Sequence, residues 1–226
     1  MKNEKAIVLF SGGQDSTTCL VWALSQYKEV EALTIMYGQR HANEAMFAEA
    51  ICHQLDVPLT IVETPFLKDI TASALMDSTL DLNASHSHNP GLPASFVPNR
   101  NALFLTIAHA YAQKVYATVV VAGMCETDYS GYPDCREKFI KELELALMLG
   151  SEAPIDIITP LMHLTKAQTW QMAEDLGCFE LVLWKSNTCY AGVRSRQHPW
   201  GYGCGECAAC KLRAKGWNEY WESKNK

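Results

Sequence analysis

The chain reads as an α/β protein, a mostly parallel sheet with helices on both faces, carrying a small metal-binding lobe at its end. Three observations predict this. Short apolar, β-branched runs alternate with segments of helical spacing, the pattern of repeated strand–helix–strand units. The first apolar run delivers the chain to a turn with two adjacent glycines, Gly12 and Gly13, at the start of the first helix. Cys189, Cys204, Cys207 and Cys210 crowd the last part of the chain.

The elements follow in order. Ala6-Ile7-Val8-Leu9-Phe10 carries a strand over 5–10, and the first helix covers 15–26. Val30 to Tyr37 makes a second strand that stops at Gly38. Ala45, Ala48, Ile51, Cys52 and Leu55 recur at helical spacing over 42–55. A third strand spans 58–62, with Pro58 tolerable only at its beginning. Residues 71–98 lack periodicity, and Asn83 to Pro93 is rich in Ser, His, Asn, Pro and Gly; a loop of that length reads as a lid or a mobile connection, the lid being favoured. A helix over 100–114 precedes the clearest buried strand, 117–123. A helix over 136–149, a short strand over 155–159 and a helix over 165–177, closed by Gly177, complete the pattern. Ligands of such sheets bind beyond the carboxyl ends of the strands, so the segments after residues 10, 37 and 123 are expected to converge. The expected division is a nucleotide-binding catalytic unit over 1–184 and a lobe over 185–226.

Composition excludes several classes. The 226 residues are 48% apolar, enough for one core, and no run approaches the ~20 apolar residues of a membrane span. Met1-Lys2-Asn3-Glu4-Lys5 leads into a short apolar stretch and then glycines, which reads as a strand and not a signal peptide. Nine cysteines without a secretory signal fit a reducing, cytoplasmic setting. A net charge of -6 argues against a long nucleic-acid footprint.

Ser11-Gly12-Gly13-Gln14-Asp15-Ser16 has the makings of a phosphate cradle. Glycines let backbone approach an anion closely, and free N–H groups at the helix start point at it with the helix dipole. Ser11, Ser16, Thr17 and Thr18 add hydroxyl donors, and Asp15 can reach a magnesium ion. The plainer alternative is a strand-to-helix turn that uses glycine for geometry alone. Neither G-x-x-x-x-G-K-[ST] nor G-x-G-x-x-G is present.

Three further segments carry chemistry. Cys125-Glu126-Thr127-Asp128-Tyr129-Ser130-Gly131-Tyr132-Pro133-Asp134-Cys135-Arg136 packs acids and tyrosines into one loop. Glu126 or Asp128, with Asp15, could hold magnesium, which needs only one or two carboxylates plus phosphate oxygens. Asp134 could accept the paired N–H donors of a guanine-like ring, with Tyr129 or Tyr132 stacking on it; alternatively Asp128 and Asp134 cap turns. Arg100, in Phe96-Val97-Pro98-Asn99-Arg100-Asn101, suits a carboxylate or phosphate, or else points to solvent. Arg40 and His41, after the second strand, and Lys166, in the first turn of a helix where a cation wants a nearby anion, are weaker candidates.

C-x14-C-x2-C-x2-C from Cys189 to Cys210 offers four thiolates, the number and softness zinc prefers in a closed, structural tetrahedron; an iron–sulfur cluster is the alternative. Arg194-Ser195-Arg196-Gln197-His198-Pro199-Trp200 lies between, a basic flap that covers the site or stays in water. Cys19, Cys52 and Cys178 read as packing residues. Cys125 and Cys135 flank the acidic loop, leaving a covalent thioester open. Trp217, Tyr220 and Trp221 suit either a homodimer contact or packing of the last helix onto the core.

The cradle resembles the pyrophosphate loop of the N-type ATP pyrophosphatases, which have a Rossmann-like, adenine nucleotide alpha hydrolase-like fold. Taken in order, Phe10-Ser11-Gly12-Gly13-Gln14-Asp15-Ser16-Thr17-Thr18-Cys19-Leu20, Tyr37-Gly38-Gln39-Arg40-His41, Phe96 to Asn101, Cys125 to Arg136 and the four cysteines resemble the 7-cyano-7-deazaguanine synthase family of queuosine biosynthesis over nearly the whole chain. The resemblance implies a ligase that converts 7-carboxy-7-deazaguanine, ammonia and ATP into a nitrile, releasing AMP and pyrophosphate. It implies ATP on residues 10–20 with Arg40 and His41, and substrate on Phe96, Arg100, Tyr132 and Asp134. It also implies catalysis by Asp15, Arg100, Glu126, Asp128 and Lys166, magnesium on Asp15 and Glu126, and one structural zinc per subunit. An acyl-adenylate and then an adenylated amide are needed, so two ATP are consumed. No room remains for a glutaminase domain, and free ammonia or a partner is expected to supply nitrogen. The rivals are a tRNA thiolase or lysidine-type ligase on the same cradle, which needs a basic face, and a zinc-ribbon binding module.

Overall fold

The computed structural model describes residues 1–38, 43–71, 73–77, 79–82, 84–86, 89–127 and 131–225. In chain order the first half contains β1 (Lys2–Leu9), α1 (Gln14–Gln26), β2 (Tyr27–Met36), α2 (Asn43–Leu55), β3 (Leu59–Glu63), α3 (Leu67–Ile70), β4 (Ser85–His86) and β5 (Asn89–Pro93). Next come α4 (Arg100–Lys114), β6 (Val119–Val121), a 3-10 turn (Pro133–Cys135), α5 (Glu137–Ser151), β7 (Asp156–Ile158) and α6 (Lys166–Asp175). The chain ends with α7 (Phe179–Lys185), β8 (Gln197–His198), β9 (Gly201–Tyr202) and α8 (Ala208–Lys224).

The central sheet is parallel throughout, in the order β3-β2-β1-β6-β7. Alternation of side chains across the pleat divides its two faces. Ala6 and Val8 of β1, with Val119 and Val121 of β6, belong to one core with Leu20, Ile51, Trp170 and Val182 from the helices. Ile7 and Val120, between them, belong to the other, with Leu105, Ala108 and Ile140 from α4 and α5. A sheet covered on both faces requires continuous apolar strands, which is why Ala-Ile-Val and Val-Val-Val stand at its centre.

The strand order reverses between β1 and β6. Chain following β1 runs outward through β2 and β3, and then returns to the opposite side of β1 as β6. The crevice beyond that junction is where open α/β sheets bind ligands.

Two segments hold more structure than their sequence suggests. Within 71–98, Ala74 N–H donates to Ala94 O at 2.8 Å, and Ala94 N–H donates to Ala84 O at 2.8 Å. A β4–β5 hairpin is therefore tied to the segment before it, with long-range backbone bonds where no periodicity was available to read. After Gly177, α7 restarts almost at once, so the glycine separates two helices instead of ending the helical region.

Packing joins the expected lobe to α6 and α7. Trp217 stands 5.1 Å from the Trp170 ring and 5.7 Å from Phe179, and Tyr220 stands 5.6 Å from Phe179. Trp217 and Tyr220 are buried, whereas Trp221 is 42% exposed. The first two thus fasten α8 to the core.

Candidate active site

A cavity of about 310 Å³ opens at the strand-order reversal. Phe10 and Ser11 after β1, Tyr37 after β2, and Gly123 and Met124 after β6 all line it, so the three strand ends converge as expected.

The loop after β1 is built to present backbone. Gly12 has φ +73°, and a methyl there would come within 3.0 Å of Ala48 N and 3.2 Å of Phe47 Cβ. No other residue satisfies both the left-handed backbone and that approach. Ser16 Oγ accepts from Ser11 N–H at 3.2 Å and donates to Gly13 O at 3.3 Å, stapling the turn to the first turn of α1. Ser11, Gly13, Gln14, Asp15 and Ser16 line the cavity. Thr17, Thr18, Cys19 and Leu20 do not; they are fully buried behind the loop. Thr18 Oγ1 donates to Gln14 O at 3.0 Å. The expectation that Thr18 presents a hydroxyl to phosphate is therefore corrected: a side chain one helical turn past the cap bonds back to its own helix. Burial, reinforced by the nearby Asp15 carboxylate, pushes the Cys19 thiol well up, as a packing cysteine requires.

Asp15 and Lys166 meet across the cavity mouth. Lys166 Nζ donates to both Asp15 oxygens, at 2.9 and 2.8 Å. Lys166 opens α6 under a capping box in which Thr165 Oγ1 accepts from Gln168 N–H and Gln168 Oε1 accepts from Thr165 N–H. A buried cation at the positive end of a helix needs an anion, and Asp15 supplies it.

Arg100 stands on the far wall inside an aromatic frame. Its guanidinium lies 5.8 Å from the Tyr37 ring and 5.8 Å from the Phe104 ring. Its buried Nε has no hydrogen-bond partner. A buried charged donor without a partner is costly, and the residue that carries it lines the cavity. Tyr132 lines the same wall and its hydroxyl meets Ser95 Oγ at 2.8 Å. Phe96 stands behind Tyr132, with ring centroids 5.6 Å apart, and supports the wall without lining the cavity. Asp134 also lies behind: its Oδ2 accepts from Asn101 N–H at 3.0 Å, an N-terminal cap for α4 contributed from across the fold.

Glu126 does not line the cavity. Its Oε2 accepts from Glu137 N–H at 3.0 Å at the start of α5, and its Oε1 lies 3.6 Å from His163 Nδ1. Arg40, His41, Asp128 and Tyr129 lie outside the described residues. Cys125 and Cys135 both line the cavity; Cys125 Sγ donates to Leu164 O at 3.1 Å.

Cys189, Cys204, Cys207 and Cys210 place their sulfurs within 4.8 Å of one another, with none in a disulfide. The Cys204 and Cys210 sulfurs are 3.8 Å apart, close to the roughly 3.8 Å edge of a tetrahedron with zinc–sulfur bonds of about 2.3 Å. Backbone N–H groups of Glu206 and Cys207 donate to Cys204 Sγ at 3.3 and 3.2 Å, the support a thiolate wants. The donor set fits one soft divalent metal. The basic flap does not float. Arg194 is held 4.6 Å from the Phe47 ring and 4.7 Å from the Tyr202 ring, beside the Gly12 turn.

Thr188, Tyr190 and Arg213 were not legible as site residues, yet all three line the cavity. Their only sequence signal is proximity to the cysteines, which brings them beside the loop.

The fold and the loop define a parallel α/β protein with a glycine turn beside the switch in its strand order. Its backbone resembles that of a 4-thiouridine synthetase solved with RNA and bound ATP, at 16% identity and TM-score 0.52, covering 97% of this chain and 51% of that one. That likeness concerns the fold alone. The chain belongs to the family of queuosine biosynthesis protein QueC, whose model matches residues 5–221. It is 52% identical to the 7-cyano-7-deazaguanine synthase of Wolinella succinogenes, over 99% of this chain and 96% of that protein. The proteins of the same name from Helicobacter pylori strain P12 and Lysinibacillus sphaericus are 50% and 48% identical, each over 97% of both chains.

Proposed function

We propose that this chain joins ammonia to 7-carboxy-7-deazaguanine at the expense of ATP and dehydrates the amide to 7-cyano-7-deazaguanine. Relatives of that name at about half identity over nearly full length support the reaction. The observation that carries the reading here is one cavity joining the Ser11–Asp15 loop to the aromatic frame of Arg100. A nucleotide's phosphates at the loop would then face an acid held at the opposite wall.

A carboxylate is a poor electrophile with a poor leaving group, so its oxygen attacks the α-phosphorus first, expelling pyrophosphate and forming an acyl-adenylate. Ammonia displaces AMP. The amide oxygen is adenylated in turn, with loss of a second pyrophosphate and one N–H proton, and departure of AMP with the remaining N–H proton leaves the nitrile. Residues 10–16, with Arg40 and His41, form the ATP site, and the buried residues 17–20 back the loop. Lys166 offsets charge developing on the phosphates, usually the largest catalytic contribution. Arg100 grips the substrate's carboxylate with its guanidinium, Tyr132 flanks the ring, and Phe96 and Asp134 hold that wall. Asp15 would hold magnesium, since a carboxylate has lone pairs for both Lys166 and a metal that keeps most of its waters. Magnesium would supply charge neutralisation to the phosphates. Zinc on the four cysteines would be structural, one per subunit, with residues 185–226 as its lobe. Small molecules and ATP, and not RNA or membrane, are the partners.

Purified protein with ATP, 7-carboxy-7-deazaguanine and ammonium should yield the nitrile, with pyrophosphate release dependent on both co-substrates. Release dependent on tRNA, or no turnover with the acid, would overturn the proposal.

A further inference from the structure

Thr188 has a hydrogen-bonding position that points to a role of its own. Its Oγ1 accepts from Gln14 N–H at 3.2 Å, in the first turn of α1, and from Arg213 Nη1 at 2.9 Å. A hydroxyl has two lone pairs and one proton. Both lone pairs are engaged, so only the proton is left to give, and no acceptor takes it among the described residues. Thr188 lines the cavity beside Ser11 and Gly13.

Arg213 holds that arrangement rigid. It is 1% exposed, and its remaining donors are spent on neutral acceptors: Nε on Trp200 O at 2.9 Å, Nη1 also on Ser186 Oγ at 2.8 Å, and Nη2 on Val182 O and Leu183 O at 2.9 and 3.3 Å. All five of its N–H donors are thereby used, none of them on a carboxylate. A cation donating to a hydroxyl oxygen makes the hydroxyl a stronger donor. Asn187 N–H donates to Gly12 O at 2.9 Å, so the 187–188 segment is clamped against the loop.

We propose that Thr188 is a phosphate-binding residue: its hydroxyl donates to an oxygen of the polyphosphate at the Ser11–Asp15 loop, relaying the Gln14 N–H, while Arg213 positions it. The inference rests on the reading of that loop as an ATP site. It assigns the chain beside the cysteine cluster a direct contact with nucleotide.

The test is the dissociation constant of pyrophosphate, and separately of Mg-ATP, by calorimetry on the full chain, with zinc content measured for each variant. Thr188→Val removes the hydroxyl at nearly constant shape and should weaken both ligands about tenfold or more, the range of a charge-assisted hydrogen bond. Thr188→Ser should stay within about threefold of wild type, and zinc should remain at one per chain in both. Arg213→Lys should weaken pyrophosphate in the wild type and have no further effect beside Thr188→Val. Thr188→Ala serves the same cycle if valine disturbs the metal loop. Unchanged affinity in Thr188→Val, or fully additive losses in the cycle, would overturn the relay. Absence of any ATP or pyrophosphate binding by the wild type would instead overturn the reading of the loop, and the inference with it.

Discussion

Gly216 of α8 lies directly against Lys166: a methyl added to Gly216 would come within 2.6 Å of Lys166 Cβ and Cγ and 2.9 Å of its carbonyl carbon. The helix that carries Cys210 therefore forms the seat of the lysine that pairs with Asp15. In an open helix interior Gly→Ala gains about 1 kcal/mol. Here Gly216→Ala must push α6 away, an overpacking that costs about 1–3 kcal/mol. The variant should melt below wild type and release pyrophosphate more slowly. A raised melting temperature with full activity would show that α8 does not set Lys166.

Lys166→Met removes the cation from the cavity mouth and leaves Asp15 partly open to water. The fold should persist, because Asp15 can be solvated. Pyrophosphate release should fall by about 10²–10³, the usual loss on removing one preorganised charge. Lys166→Arg should not restore it, since the bulkier fork cannot occupy the same seat beside Gly216. Rates within tenfold of wild type would contradict the role.

Arg100→Met leaves the aromatic frame standing while removing the unpaired donor. KM for the acid should rise about tenfold or more, as for a lost hydrogen bond to a charged group. Affinity for ATP should hardly change. A selective loss of ATP affinity would move Arg100 to the nucleotide side of the cavity.

His109 gives the stability curve a predictable acid limb. Burial lowers its folded pKa below the ordinary 6.5, and its Nε2 has no partner. The unfolded chain takes up a proton near 6.5 while the folded chain does not, so stability falls as pH drops below that value until the folded pKa is reached. His109→Leu should flatten this part of the curve. Urea midpoints at pH 7.5 and 5.5 measure it, and equal slopes in both proteins would refute the assignment.

Removing metal should act at a distance. Structural zinc contributes roughly 10–16 kcal/mol, against about 5–15 kcal/mol for a typical domain. Cys204→Ser, or strong chelation, should therefore unfold α8, and with it the seat of Lys166. Nucleotide binding and helical circular dichroism should be lost together with the metal. Full nucleotide affinity in metal-free protein would separate the cluster from the site.

Much of the sheet was legible because its strands are buried on both faces and leave unbroken apolar runs, as in Val119-Val120-Val121. The loop at Gly12 and the four cysteines were legible for a local reason: their chemistry lies within one short stretch or one spacing. What could not be read was assembled across the fold. Asp134 reads in sequence as a ligand residue or a local turn cap, and its Oδ2 caps α4, a helix 33 residues earlier in the chain. Thr18 looks like a phosphate donor, yet it bonds to Gln14 O. Thr188 and Arg213 carry no motif, because their meaning depends on a hydroxyl and a guanidinium meeting from residues far apart in the chain.

The central claim is that the substrate's oxygen bonds to the α-phosphorus of ATP while the loop holds the departing pyrophosphate. Turnover of 7-carboxy-7-deazaguanine labelled with heavy oxygen in its carboxylate tests this most directly. The account predicts AMP carrying the label, with pyrophosphate unlabelled. ADP and orthophosphate as the primary products, or AMP free of label, would contradict it.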